Sequence, residues 1–452
     1  MPQANIEKPA ISPNQEVADL LETGTFQQAR YMLNGLPTED AAHLIESSPP
    51  HSRFILWSLI DEDNRSDVLA CLSDELQGLF AAKMDSQELA ALSADIETDD
   101  LVDILQQLPD QVTHEVLQAM SVQDRQRIAK AMSYPENTAG GLMNTDTITV
   151  RPMHSVDVVL RYLRRHNEIP DMTDNLYVVN RKDEFIGILP LAKLLVSDPQ
   201  NTVREIMLTD IETIPVLMDD GEIAQRFERK DWVSAPVVDE NGLLLGRITI
   251  DDVVDIIRED ADHSLMGMAG LDEEEDTFSP VRKTTPRRAI WLGVNLATTF
   301  IAAGVINLFQ DAIEKVVALA ILMPVVASMG GVAGTQTLTI VIRGLAVGHI
   351  EQHNRLWLIN REFIVGVINA LLWAVVVAVA AVIWFNDTTI GIIIAAAMVI
   401  TLITAALAGA TLPLILKKLN IDPAIAGGVA LTTVTDVVGF MSFLGLATLF
   451  YA

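Results

Sequence analysis

Five apolar runs toward the C-terminus, residues 289–309, 316–342, 363–385, 389–416 and 423–450, set the strongest limit on what this chain can fold into. Each reaches or exceeds the roughly 20 residues that a helix needs to cross a ~30 Å hydrocarbon core. Five in succession carry more apolar surface than one water-soluble domain can cover, so an all-α transmembrane domain of five helices is predicted.

Charge separates this half from the rest. The 452 residues are half hydrophobic, yet their net charge is −29. From Arg287 onward there are seven acids against eight bases, which leaves 53 acids and 23 bases in the first 286 residues. So acidic a soluble half excludes nucleic acid as a partner, since phosphate recognition draws on Lys and Arg patches, and it favours divalent cations. One cysteine, Cys71, rules out an intrachain disulfide and suits the cytosol. The first forty residues have no apolar core, so no cleaved leader is expected.

Basic residues stay on the cytoplasmic side of short loops. Arg282, Lys283, Arg287 and Arg288 precede the first run, Arg343, Arg355 and Arg361 separate the second from the third, and Lys417 and Lys418 separate the fourth from the fifth. The other side has only Lys315. The acidic half is therefore expected in the cytoplasm and the C-terminus outside.

Within the runs as bounded above there is one ionisable side chain, Asp436, thirteen residues from Pro423 and fourteen from Phe450. An Asp at the bilayer centre costs roughly 2.5 to 3.5 kcal/mol on insertion scales unless a partner or a water-filled path repays it. No basic residue in another run can pair with it. A protonated Asp tying helices together is one reading; a cation or proton path is the other, and the neighbours favour it. Thr432 and Thr433 lie beside Asp436, with Thr432 one turn away on the same face. These hard oxygens suit Mg²⁺ or Ca²⁺, and the runs offer no thiolate or imidazole set for zinc or copper. The second run adds Gly330, Gly331, Gly334, Gln336 and Thr337 as candidate pore-lining residues, because glycines allow exposed carbonyls or close backbone approach. Small residues of this kind also mediate plain helix packing. A symmetric dimer would bring two copies of Asp436 to one axis and match the charge of one Mg²⁺.

Residues 14–132 read as short helices with apolar positions three and four apart, broken by Pro, Ser and Asp, which suggests a stacked, superhelical α domain. After Pro135 the texture becomes α/β and repeats. LYVVNRKDEFIGILPLAKLL (176–195) and APVVDENGLLLGRITIDDVV (235–254) align at an offset of 59 residues, and 149–150 and 215–216 open the two units. The repeat resembles a tandem of cystathionine-β-synthase-type (CBS) modules, which sense ligands. A catalytic α/β domain would need a nucleophile, a phosphate-binding Gly loop or a His/Cys cluster, none of which is present, so no enzyme is expected.

Taken together, ENTAGGLM (136–143), MGGVAGTQTLTIVIRGLA (329–346) and LTTVTDVVGFMSFLGLATL (431–449) resemble the MgtE family of bacterial magnesium channels over almost the full length. The resemblance implies a helical N domain (1–135), a CBS pair (136–205 and 206–258), a linking plug helix (259–286) and a five-helix pore domain (287–452). It further implies a homodimeric Mg²⁺ channel in the bacterial cytoplasmic membrane, with Asp436 as the pore ligand and cytosolic acids that bind Mg²⁺ and close the pore. The matching sensor acids are Asp99, Asp103, Asp219, Asp231, Asp252, Asp255, Asp260 and Asp422, and the CBS pair is a candidate site for ATP. Two departures stand out. Val332 replaces a customary Asn, and His263 and Ser264 replace two customary acids, which implies a weaker Mg²⁺ lock on the plug. A proton-coupled carrier of Co²⁺, Mn²⁺ or Ni²⁺, and a membrane-anchored nucleotide sensor that transports nothing, remain open on the sequence.

Overall fold

The computed structural model describes residues 25–92, 96–165, 169–271 and 277–451. The chain divides into two units, residues 1–257 and 258–452.

The first unit begins with short helices, and they stack because each presents one narrow apolar face. Phe26–Leu33 packs on Pro50–Leu59, Thr38–Glu46 on Arg65–Ala70, and Asp74–Ala81 on α1 (Thr98–Gln106). This alternate-helix pairing is the superhelical stack expected from the sequence, with Ala29, Ile45, Leu56, Phe80 and Ile104 in its core. Prolines at 37, 49 and 109 stand just before helices, where a missing N–H costs nothing, and Ser121 accepts a capping bond from the Asp124 N–H at 3.2 Å.

Two three-stranded sheets follow. In the first, β1 (Thr149–Val150) runs parallel to β2 (Asn175–Val179), and β2 runs antiparallel to β3 (Phe185–Pro190). In the second, β4 (Ile214–Pro215), β5 (Ser234–Val238) and β6 (Leu244–Thr249) repeat the pattern, one residue before the expected opening at 215. Gly187 and Gly246 mark where the units exchange segments. Leu208, ahead of the second unit, bonds Ile188 of the first, and Asn144, ahead of the first, bonds Arg247 of the second. A Cβ on Gly187 would lie 2.3 Å from the Leu208 carbonyl oxygen, and one on Gly246 2.6 Å from that of Asn144, so both strands need glycine for this crossing. Helix α2 (Asp220–Lys230) lies between β4 and β5, and α3 (Ile250–Met268) follows β6.

α3 passes straight through the expected border at 258/259. The described residues of the linking segment 259–286 form the end of α3, a turn with Gly270 at φ 70°, and the start of α4 (Val281–Asn307). Asp272 to Glu275 fall outside the described residues.

The second unit holds α4, α5 (Val317–Ala346), α6 (Arg355–Phe385), α7 (Thr388–Lys418) and α8 (Pro423–Tyr451). Among the described residues these five are long and apolar enough to cross a membrane. α7 is the central helix, packed on α5, α6 and α8, whereas α4 is largely uncovered and packs against α8. Small residues set the spacing: Gly366 faces Ala406, and a Cβ on Gly409 would lie 2.7 Å from the Gly334 carbonyl oxygen. The third span begins at Arg355, not 363, which brings Arg361 and Glu362 into it.

Candidate functional site

Asp436 lies near the middle of α8, half-buried, and no described side chain hydrogen-bonds or pairs with it. Around it the threonines donate their protons to their own helix. Thr432 Oγ1 donates to the Gly428 and Val429 carbonyls at 3.1 Å each, and Thr433 Oγ1 to the Val429 carbonyl at 2.7 Å. Each hydroxyl oxygen keeps lone pairs, so the face carries acceptors beside an unpartnered carboxyl, a chemistry fitted to a hard cation.

The candidate pore residues on α5 divide into two sets. Gly330, Gly334 and Thr337 recur at helical spacing and are buried at contacts with neighbouring helices. A Cβ on Gly330 would lie 2.7 Å from Thr401 Cγ2, and one on Gly334 2.9 Å from Leu431 Cδ1. These three serve helix packing within the unit. Gly331, which has open space before it, and Gln336 are on the uncovered face, as is Val332.

Glu362 was not anticipated. It is 4% exposed inside the membrane half, where it accepts from Thr337 Oγ1 at 3.2 Å and pairs with Arg361 Nη1 at 2.7 Å. In the sequence it reads as one more charge at the head of an apolar run.

At the start of α8, Asp422 accepts from the Ala424 N–H at 2.7 Å, a bond that helps begin the helix, and from His263 Nε2 of α3. Beyond this contact, Gly267 of α3 packs on Ala424, and Thr339 Oγ1 lies 3.7 Å from Met268 Sδ. The end of α3 is thus seated on the ends of α5 and α8. The histidine that departs from the family pattern contacts Asp422 directly. Asp260 is exposed on the same helix.

In the first unit, acids converge where the first turns of α1 and α3 meet. Asp99 is 6% exposed with Oδ1 unpartnered, and burial, then Asp252, then Asp100 push its carboxyl well above the usual range. Burial and Asp251 push Asp252 up to about 7, against bonds from the Thr249 N–H and hydroxyl. Burial, then Glu97, Asp251 and Asp255 push Asp100 up to about 6. Burial also raises Glu97, although Arg247 opposes it. The expected Asp99, Asp252 and Asp255 do come together; Glu97, Asp100 and Asp251 belong with them and were missed. Asp103 is half-buried one turn along α1 from Asp99. Asp219 and Asp231 are exposed at opposite ends of α2, roughly 17 Å apart for eleven residues at 1.5 Å each.

A polar seam flanks this cluster. Thr98 Oγ1 donates to Asp146 Oδ2 at 2.9 Å, Arg127 pairs with Asp146, and Asn144 Nδ2 donates to Glu97. Among the described residues no three His, Cys, Asp or Glu side chains converge as a metal cage. Mg²⁺ does not need one, because it keeps most of its waters and is held through one or two carboxylates. The buried, unpartnered Asp99 Oδ1 fits such an ion.

Comparison with known proteins agrees with this division. Residues 323–446 match the family described as divalent cation transporter, residues 36–137 the MgtE intracellular N domain, and residues 139–197 and 203–259 the CBS domain. The magnesium transporter MgtE of Bacillus subtilis is 31% identical, with 95% of this chain and 96% of the relative covered. The magnesium transporter MgtE of Thermus thermophilus is 28% identical, with 98% of each covered. A crystal structure of the cytosolic domain of the Mg²⁺ channel MgtE in complex with ATP is similar at a TM-score of 0.50 and 29% identity, covering 54% of this chain and 99% of that one. Five apolar helices behind a helical domain and a CBS pair define a multi-pass membrane protein of the divalent-cation transporter class with a cytosolic N domain. Within that class, the chain belongs to the MgtE family of magnesium transporters.

Proposed function

We propose that this protein is a homodimeric Mg²⁺ channel of the bacterial cytoplasmic membrane that admits Mg²⁺ to the cytoplasm and closes when cytosolic Mg²⁺ is high. The observation that carries the reading is Asp436, an unpartnered acid midway along a membrane-crossing helix beside Thr432 and Thr433. A second protomer would supply the second carboxylate for one largely hydrated ion, with Gly331 and Gln336 on the uncovered face of α5 beside the path. The C-terminus lies outside in this reading, since Lys and Arg gather at the opposite ends of the spans.

Closure would start at the cluster of Asp99, Asp100, Asp252 and Asp255. Carboxylates held this close repel one another until a divalent ion is shared between them, so cytosolic Mg²⁺ draws α1 toward α3. α3 also carries His263 to Asp422 at the start of α8. On the likeness to the ATP-bound cytosolic domain, we assign a nucleotide site to the CBS pair.

Metal flux into proteoliposomes, with Mg²⁺, Co²⁺, Ni²⁺ and Mn²⁺ each alone and in competition, tests this function. Mg²⁺ uptake is expected to follow the Mg²⁺ gradient and to persist when the proton gradient is collapsed. Uptake that follows the proton gradient makes the chain a coupled carrier, and no uptake of any ion leaves an anchored sensor.

A further inference from the structure

The cytoplasmic ends of α6 and α7 enclose a groove of about 630 Å³ that none of the functions above uses. Ile359 and Leu414 form its apolar floor and Leu356 its exposed rim, while Arg355, from the first turn of α6, and Lys418, from the last turn of α7, both line it. Gln352 adds a side-chain amide. We propose that this groove binds the headgroup of an anionic phospholipid of the cytoplasmic leaflet.

Three observations point to a phosphate. The Arg355 Nε is buried and has no hydrogen-bond partner, which leaves a guanidinium donor unsatisfied in a site that also holds an ammonium group. The N-terminus of α6 lacks a side-chain cap, because Asn354 spends its amide on the His349 carbonyl and its oxygen on the Glu351 N–H. Its first turn therefore offers the partial positive charge that anions favour. The neighbouring acid, Glu351, is turned to His353 at 3.3 Å and does not line the groove.

The surroundings select a lipid over a free phosphate. Leu356 is 80% exposed and Ile415 50% exposed at the ends of two membrane-crossing helices, where acyl chains are the solvent. Basic pockets between spans on the cytoplasmic side are suited to anionic headgroups, with the stems of Arg and Lys along the hydrocarbon and their charges at the interface. A lipid seated here would fasten the end of α7, the central helix, to α6.

The test uses the full chain, delipidated in a neutral detergent and titrated with phosphatidylglycerol or with phosphatidylcholine of the same acyl chains, with retained lipid counted by native mass spectrometry. The parent should retain phosphatidylglycerol in preference. Arg355→Gln with Lys418→Gln should weaken that binding about 25-fold, at roughly fivefold for each basic side chain near a membrane surface, and leave phosphatidylcholine unchanged. Lys417→Gln, beside the groove but not lining it, should change nothing. Ile359→Trp keeps both charges and fills the floor, so it should lose the lipid even if the double variant fails to fold. Equal retention of the two lipids by the parent, or full retention by Ile359→Trp, would overturn the proposal. So would an equal loss in Lys417→Gln, which marks a general basic collar, or displacement of the lipid by soluble glycerol 3-phosphate, which marks a free-phosphate site.

Discussion

His263 on α3 donates through Nε2 to the Asp422 carboxylate at the first turn of α8, so a side chain that departs from the family pattern makes the direct tie between these helices. Asp422 is already engaged by the Ala424 N–H, and its remaining oxygen takes the imidazole. The sequence implied that His263 weakens an ion-held lock; the structure adds a direct hydrogen bond from His263 to Asp422. His263→Ala should therefore raise residual flux in chelator by about two- to fivefold, the range left for a charged hydrogen bond once a third of each side chain is solvent-screened. His263→Glu with Ser264→Asp should make closure strictly Mg²⁺-dependent, because two acids facing Asp422 repel without a cation. Flux measured across a Mg²⁺ titration checks both, and unchanged flux in chelator for either variant would remove the tie from the gate.

The acids at the α1–α3 junction predict a pH dependence with a definite sign. Burial holds Asp100 at about 6 and Asp252 at about 7, above the ordinary carboxyl range near 4. A folded carboxyl of this kind keeps its proton where the unfolded chain has lost it. Its contribution is complete below about pH 4 and is lost as the pH rises through 6 to 7. In chelator, the hydrogen-exchange protection of residues 97–106, taken relative to the intrinsic rate at each pH, should therefore be greater at pH 5.5 than at pH 8. Saturating Mg²⁺ takes the place of the protons and should flatten the difference. Lower protection at pH 5.5, or a difference in protection that Mg²⁺ leaves intact, would contradict the assignment.

Asp436 carries the pore assignment. Asp436→Asn keeps its size and removes its charge, so flux should fall to background while the protein stays inserted and elutes with the parent in size-exclusion chromatography. Asp436→Ala should do the same. Flux near that of the parent in either variant would move the ion path elsewhere.

How much of this was legible in the sequence depended on whether the signal was local. The five spans were, because length and apolarity suffice, and so was Asp436, since an acid at the bilayer midplane is too costly to keep unless it serves a polar path or a helix contact. The CBS pair showed itself through a 59-residue self-similarity whose glycines, Gly187 and Gly246, admit a crossing segment. The face of Gly330, Gly334 and Thr337 was visible, but small residues at helical spacing do not reveal whether they meet water or a helix. The raised carboxyls at Asp100 and Asp252 come from bringing together two helix starts about 150 residues apart. An acid-rich composition cannot show which acids lose solvent. Glu362 was hidden for the same reason, since its burial is made by other helices.

Glu362 yields the last prediction, which concerns the frame of the pore. Its carboxylate accepts from Thr337 Oγ1 on α5 at 3.2 Å and is 4% exposed. The same stretch of α5 lies against Gly409, where an added Cβ would stand 2.9 Å from Thr337 Cβ and 3.1 Å from the Leu338 amide nitrogen. The missing side chain at 409 is what lets α5 approach α7 this closely, with Thr337 bonded to α6. Glu362→Ala leaves the buried Thr337 hydroxyl without this acceptor and should cost about 1 to 3 kcal/mol. Glu362→Gln keeps an acceptor for that hydroxyl and loses only the charged contact with Arg361, which is half exposed, so it should cost less. Gly409→Val forces two backbones apart and should destabilise by at least as much as Glu362→Ala, about 1 to 3 kcal/mol for overpacking. Thermal melting in detergent ranks the three. If Glu362→Gln melts as low as Glu362→Ala, the bond to Thr337 adds nothing beyond the contact with Arg361 on the same helix, and the clamp on α5 is refuted.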